Sequence, residues 1–288
     1  MAKLTLIREQ SLTAPFCDQK KLEASGVAVK GETCWVIFDN LTSVAEITLQ
    51  EDGFGICRLH EPGKHAGIEG FEAISCHAAG ETLYVAVEGV KIGKKYYPKI
   101  AELEKNLKPK PFKLLNVPFM GESKGFEGIA VITRPSDEAV LLFGLCEGNF
   151  CEQNKERGKK KGNGRLHVFM RDKREWRNLK ILLPIPPAAD FRDYSDIAMR
   201  IANDGRSARV AITSQEGKSV WIGHIDLDRL GFIDDGEVLP FPGDDYCNVE
   251  GVDWISDNTL VLVSDKAKSD SPNGCKKKEM SIHLMRIE

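Results

Sequence analysis

Three glutamates and two serines occupy one position of a repeated unit: Ser25, Glu72, Glu127, Ser195 and Glu250. Each opens a short apolar run, as in Glu127-Gly128-Ile129-Ala130-Val131 and Glu250-Gly251-Val252-Asp253-Trp254. Three carboxylates brought to one point raise one another's pKa, and the arrangement is costly if nothing compensates it. A bound cation removes that cost. Hard oxygen donors in a flexible ring suit Ca2+, which takes about 6–8 oxygens, whereas Mg2+ or another small divalent ion demands a tighter octahedron. A second set of acids follows farther along each unit. Asp39, Glu88 and Asp265 lie six residues after Thr33, Thr82 and Thr259, and Glu147 and Glu216 fill looser equivalents in the other two units. The segments that come next are basic: Lys91, Lys94 and Lys95 in one unit, Lys155, Arg157, Lys159, Lys160 and Lys161 in another, and Lys266, Lys268, Lys276, Lys277 and Lys278 in the last. Acids enclosed by cations describe a site that draws an anion toward a metal.

The elements that must position these residues are short strands. The units begin at residues 25, 72, 127, 195 and 250, so they are spaced by 47, 55, 68 and 55 residues. Repeats of this length, each a series of apolar runs separated by turn residues, indicate a radial β architecture. Four strands are expected per unit: 26–29, 33–38, 43–49 and 55–60; then 73–77, 82–87, 97–103 and 112–117; then 128–133, 139–145, 165–171 and 176–183; then 197–202, 208–213, 220–226 and 236–241. The fifth unit offers three, at 251–255, 259–264 and 281–286, and residues 3–8 at the other end of the chain supply the fourth. The expected fold is therefore all-β, a single five-bladed β-propeller of four-stranded antiparallel blades occupying residues 1–288, closed by the N-terminal strand so that no sheet edge is left open. In that fold the first strand of each blade lines the axis, which brings the five ring residues together. The ends of the second strands return beside them on the same face. Helix is nearly absent; residues 100–107 alone have helical apolar spacing, and they read equally as the end of a strand.

Composition agrees with a folded chain and narrows the function classes. The 288 residues are 42% hydrophobic and 29% charged, with 40 Lys and Arg against 43 Asp and Glu. The net charge of −3 lacks the overall basic footprint of a nucleic-acid binder. No apolar run is long enough to span a membrane, and the start of the chain has no export signal, so a cytoplasmic location is expected. The eight cysteines form no CxxC pair, which argues against zinc, and in a cytoplasmic chain they are expected to be reduced. His65 and His77 read as a loop and a strand-end histidine, and no GxSxG elbow is present. A monomer is compatible with all of this, and the sequence sets no other oligomeric state.

The ring order Ser25, Glu72, Glu127, Ser195, Glu250 resembles that of the calcium-activated nucleotidases, the apyrase family of five-bladed propellers, whose central calcium is held in a ring of this type. Ile37-Phe38-Asp39-Asn40, followed by Ser43-Val44-Ala45-Glu46-Ile47, is similar to that family's acidic pair at the end of the second strand of the first blade. The chain departs from the pattern at Asn40-Leu41, where the family has an acid followed by a basic residue. Phe126-Glu127-Gly128-Ile129-Ala130-Val131 and Cys146-Glu147-Gly148-Asn149 also resemble the broader phytase-like propeller esterases. The resemblance implies metal-assisted hydrolysis of a phosphate ester or anhydride, with Asp39, Glu88 or Glu147 orienting the attacking water and Lys94, Lys266 and Asn149 holding the anionic substrate. Two other functions fit the same ring. One is a non-enzymatic binding module stapled by an axial metal; the other is a glycosidase using mouth carboxylates, with Tyr96, Tyr97 and Phe150 as the available stacking aromatics.

Overall fold

The computed structural model describes residues 2–16, 21–51, 53–61, 70–119, 125–146, 161–267 and 271–288, and for Glu88 the backbone alone. The chain enters through β1 (Leu4–Ser11) and then builds the blades in order. Blade 1 is β2 (Ala24–Lys30), β3 (Thr33–Phe38), β4 (Leu41–Gln50) and β5 (Gly53–His60). Blade 2 is β6 (Ala73–His77), β7 (Thr82–Ile92), β8 (Lys95–Glu102) and β9 (Lys113–Leu114). Blade 3 is β10 (Gly128–Thr133), β11 (Val140–Cys146), β12 (Arg165–Asp172) and β13 (Glu175–Pro184). Blade 4 is β14 (Asp196–Ile201), β15 (Ser207–Ser214) and β16 (Ser219–Asp226), with an outer strand split into β17 (Gly231–Phe232) and β18 (Glu237–Pro240). Blade 5 is β19 (Val249–Ser256), β20 (Thr259–Ser264) and β21 (Ser281–Ile287), and β1 pairs antiparallel with β21 to complete it. The five-bladed propeller and its closure by the N-terminal strand are thus as expected. Residues 100–107 continue β8 and then turn, while a short helix, α1 (Asn273–Lys277), interrupts blade 5 where none was expected.

The innermost strands touch in ring order, β2 to β6, β10, β14, β19 and back to β2. Each of these strands has an edge with no partner in its own sheet, and its N–H groups need acceptors. Side chains of the neighbouring blade supply several. Asp196 accepts from Val252 N (2.9 Å), Asp253 from Val29 N (2.6 Å) and Ser75 Oγ from Val131 N (2.9 Å), tying blade 4 to 5, blade 5 to 1 and blade 2 to 3. After four of the five ring positions stands a small residue (Gly26, Ala73, Gly128 and Gly251), and after Ser195 stands Asp196, whose carboxylate serves the neighbouring blade. A Cβ on Gly251 would stand 2.8 Å from the backbone of Gly26, so the blades could not approach this closely with a larger residue there. Apolar residues fill the space between blades: Phe143, Leu166, Ile212 and Trp221 between blades 3 and 4, and Val36, Phe38, Val261 and Ile282 between blades 5 and 1, all fully buried.

Cysteine usage corrects the expectation of reduced thiols. Cys247 and Cys275 are joined in a disulfide that ties the segment before β19 to α1, and Cys146 at the end of β11 is also disulfide-bonded. The proximity of Cys247 to Cys275 depends on α1, which the sequence reading did not contain. Cys34, Cys57 and Cys76 are free, and burial pushes the Cys76 thiol up to about 12, so it behaves as an apolar side chain.

Candidate functional site

At the start of the innermost strands the five ring positions meet. Ser25, Glu72, Glu127, Ser195 and Glu250, together with Asp193, Tyr194 and Gln215, line a cavity of about 70 Å³. That is room for about two waters, taking ~30 Å³ as the share of each in the liquid. The backbone explains the convergence: Glu72 N donates to Ala86 O, Glu127 N to Leu145 O and Ser195 N to Thr213 O, so these three are held by the second strands of their blades, while Ser25 and Glu250 sit at register shifts of β2 and β19. Ser25 Oγ donates to Phe71 O (2.5 Å), which joins blade 1 to the entry of blade 2. Ser195 Oγ accepts from Gln215 N (3.2 Å), and Gln215 Nε2 donates to Glu250 Oε1 (2.7 Å).

The electrostatics of the cavity are those of crowded acids. Burial pushes the Glu250 carboxyl well above the usual carboxylate range, and the negative charges of Asp265, Glu127, Asp39 and Glu72 push it further. Every side-chain donor atom on the ring is oxygen, so the set matches a hard cation in chemistry. As the side chains stand, no three His, Cys, Asp or Glu among the described residues are gathered tightly enough to hold a metal ion. In this arrangement the ring supplies oxygen atoms and negative charge without a formed coordination shell.

A second acidic group adjoins the ring between blades 1 and 5. Asp39 follows β3 and Asp265 follows β20. Their N–H groups donate to Glu23 O (2.9 Å) and Asn248 O (2.8 Å), each two residues before a ring residue. Burial, then the neighbouring Glu23, raises Asp39 to about 6. Burial, together with Asp39 and Glu23, raises Asp265 to about 7 in spite of its hydrogen bond from Lys266 N. Lys21 pairs with Glu23 (2.5 Å) at this cluster, and Asn248 Nδ2 donates to Lys266 O (2.6 Å). Asn40, where the chain departs from the nucleotidase pattern, has a different task. Its Oδ1 accepts from Glu23 N and its Nδ2 donates to Lys21 O, both at 3.3 Å, so it fixes the Lys21–Glu23 segment against the end of β3.

The remaining expected residues divide by position. Lys94 is exposed at the tip of the β7–β8 hairpin, and Glu88 lies within β7, which runs five residues beyond the expected strand end at Val87. Glu147 and Asn149 lie outside the described residues, as do His65, Phe150 and Lys155 to Lys160. Part of the basic collar is neutralised locally: Lys278 pairs with Glu9 (2.5 Å) and Lys161 with Asp190 (3.4 Å). His77 bonds Thr133 Oγ1 (2.6 Å) and is lowered by burial, consistent with a satisfied structural histidine.

Sequence reasoning missed Lys21, Glu23, Asp193, Tyr194 and Gln215. Asp193 is buried beside the cavity, accepting from Ser214 Oγ (2.6 Å) and Glu216 N (3.0 Å), and so fixes the turn that presents Gln215. A signal for part of this set was present: Glu23, Asp193 and Asn248 all stand two residues before a ring residue, on the strand approach that faces the mouth.

No family model matches the chain, and no curated relative is found by sequence. Solved structures match over the whole length. A PQQ-bound aldose sugar dehydrogenase from Streptomyces coelicolor aligns with a TM-score of 0.53 and 12% identity, covering 100% of this chain and 99% of the other. CoXyl43, a GH43 β-xylosidase/α-arabinofuranosidase from a compost microbial metagenome solved with xylotriose in a calcium-free form, gives 0.53 and 8%, covering 99% and 94%. A GH43_1 enzyme from Xanthomonas citri gives 0.51 and 9%, covering 98% and 90%. At these identities the likeness is one of fold, and the chain belongs with the β-propellers.

Proposed function

We propose that the chain is a divalent-cation-dependent hydrolase, with Ca2+ as the cation and a phosphate ester or anhydride as the substrate class, acting at the mouth of the central cavity. The observation that carries this reading is the meeting of Ser25, Glu72, Glu127, Ser195 and Glu250, five oxygen-bearing side chains, on one small cavity whose carboxylates repel one another. The order of serines and glutamates resembles the nucleotidase ring, and that resemblance supports the phosphate. When bound, the cation supplies charge stabilisation to a phosphoryl oxygen or to water. The chain's own residues do the rest. Ser195, Gln215 and Glu250 form one hydrogen-bonded arc that orients the ring. Asp39 and Asp265, raised toward neutrality, exchange a proton with water or with the leaving group at their Oδ atoms. Glu88 and Glu147, which answer to these acids in the sequence of blades 2 and 3, are assigned the same task. Lys21 and Lys266 bring positive charge to the substrate side, with Lys94 and Asn149 assigned to the outer part of the same anion.

A specific observation favours glycoside hydrolysis as the second reading. Asp265 at about 7 and Asp39 at about 6 keep protons near neutrality, as a general acid must, and the fold is shared with GH43 enzymes. Purified protein assayed on nucleotides, aryl phosphates and aryl xylosides or arabinosides, with Ca2+ and with chelator, separates the readings. Phosphate release that needs Ca2+ is the expected result. Glycoside cleavage without phosphate release would replace the first reading by the second. A chelator-sensitive melting temperature with no turnover on any substrate would leave the ring as an axial staple of a binding module.

A further inference from the structure

A cleft of about 420 Å³ opens between blades 2 and 3, on the face opposite the acidic cavity. Its position follows from strand direction. The ring residues stand at the start of the first strands, whereas this cleft is built from the beginning of β7, the end of β8 and the β12–β13 hairpin, all at the other end of the blades. Its volume is in the range of small-ligand sites, about 300–1,000 Å³.

The chemistry of the cleft is aromatic and cationic. Trp176 and the buried Tyr84 meet edge to face at 5.8 Å and form one wall. Four cations line it, Lys110, Lys113, Arg171 and Arg174, against the single carboxylate of Glu102. Glu102 is already engaged by Lys110 (2.6 Å) and by Arg171. Arg171 also donates to Tyr84 Oη, and its guanidinium lies 5.9 Å from both aromatic rings, so its position is set before any ligand arrives. Lys113 pairs with the exposed Glu175 (2.7 Å), and Arg174 has no ion-pair partner among the described residues. Excess positive charge therefore stands in front of a flat aromatic wall. A guanidinium with free donors recognises phosphate oxygens in a forked geometry, and an indole face accepts a planar ring by stacking.

We infer that this cleft binds a phosphorylated planar ring, the chemistry of a nucleotide, at a site separate from the acidic cavity. The phosphate sits against Arg174 and Lys113, with Arg171 behind them, and the ring lies on Trp176.

The test is calorimetric titration of the full chain with ADP and, separately, with inorganic phosphate, in the presence of chelator so that no cation bridges ADP to the acidic cavity. ADP is expected to bind saturably, and inorganic phosphate at least about tenfold more weakly, since it lacks the stacking ring. The exposed double variant Arg174→Ala, Lys113→Ala is expected to lose about tenfold or more in ADP affinity with an unchanged melting temperature. Glu127→Gln, on the other face, should bind ADP as the parent does. Absence of saturable binding, or unchanged affinity in the double variant, overturns the inference. Loss of binding in Glu127→Gln with retention in the double variant also overturns it, and would place the nucleotide at the acidic cavity. Phosphate binding as tight as ADP overturns it as well, since the planar ring would then contribute nothing. A cleft that binds no ADP leaves Ca2+-activated hydrolysis at the mouth untouched, and a mouth without turnover leaves ADP binding at the cleft untouched, so the two readings fail independently.

Discussion

Single carboxylates decide how this molecule responds to pH, and Asp253 shows why. Its two oxygens accept from Val29 N (2.6 Å) and Trp254 N (2.7 Å), which favours the charged form, yet burial outweighs both and raises it to about 7. An uncharged acceptor suits that place nearly as well as a carboxylate. Asp253→Ala is expected to destabilise by about 1–3 kcal/mol, because it leaves buried N–H groups without an acceptor. Asp253→Asn keeps one acceptor, recovers part of that loss and removes a titrating group. Thermal melts across pH 5 to 8 check this: the Asn variant should give a flatter profile than the parent, and a parallel profile would show that Asp253 does not titrate in that range. Such residues were not legible beforehand. Asp253 follows the recurring ring position by three, like Ser75, but nothing local says that its acceptors serve the next blade. The ring itself was legible because Ser25, Glu72, Glu127, Ser195 and Glu250 share one register in five units.

Strands were legible for a related reason. Alternating apolar runs bounded by turn residues located β2 to β5 and β10 to β13 closely, since each blade repeats one local pattern, and the incomplete fifth unit pointed to β1 as its missing strand. The split outer strand of blade 4 and the short α1 have no such repeat behind them. With α1 went the Cys247–Cys275 disulfide, whose partners are 28 residues apart and meet only when that helix folds back on the segment before β19. This crosslink has a clear role at the element scale: it holds the approach to β19 from which Asn248 positions Asp265. Closing a loop of this length restricts the unfolded chain by about 3.6 kcal/mol. Cys275→Ser is therefore expected to lower the melting temperature by several degrees and to make the parent's sensitivity to reductant smaller. A reductant effect undiminished in the variant would assign it to the disulfide at Cys146.

At the scale of the whole molecule, a net charge of −3 conceals two local concentrations of charge. The mouth gathers Glu23, Asp39, Asp265 and the ring glutamates, and the opposite face carries the cationic cleft. The acids make the closed ring sensitive to pH in a definite direction. Asp39 and Asp265 have ordinary values of 3.8 and are raised to about 6 and about 7, and Glu250 is raised well above its ordinary value. Between about pH 4 and pH 7 the unfolded chain releases these protons while the folded chain retains them, so stability falls as pH rises through that window. Below it both states are protonated and no penalty is felt. A cation on the ring reverses the preference, since it favours the charged carboxylates of the folded state. Melting curves in chelator should decline from pH 4 to pH 7, and Ca2+ at about 100 times its Kd should restore about 2.7 kcal/mol at neutral pH and little at pH 4, where protons compete for the same oxygens. Glu250→Gln should reduce both the decline and the response to Ca2+, because it removes a strongly raised carboxyl without emptying the cavity. If Ca2+ stabilised the parent equally at pH 4 and pH 7, the ion would be acting somewhere other than on these titrating acids, and the ring would have to be assigned a different ligand.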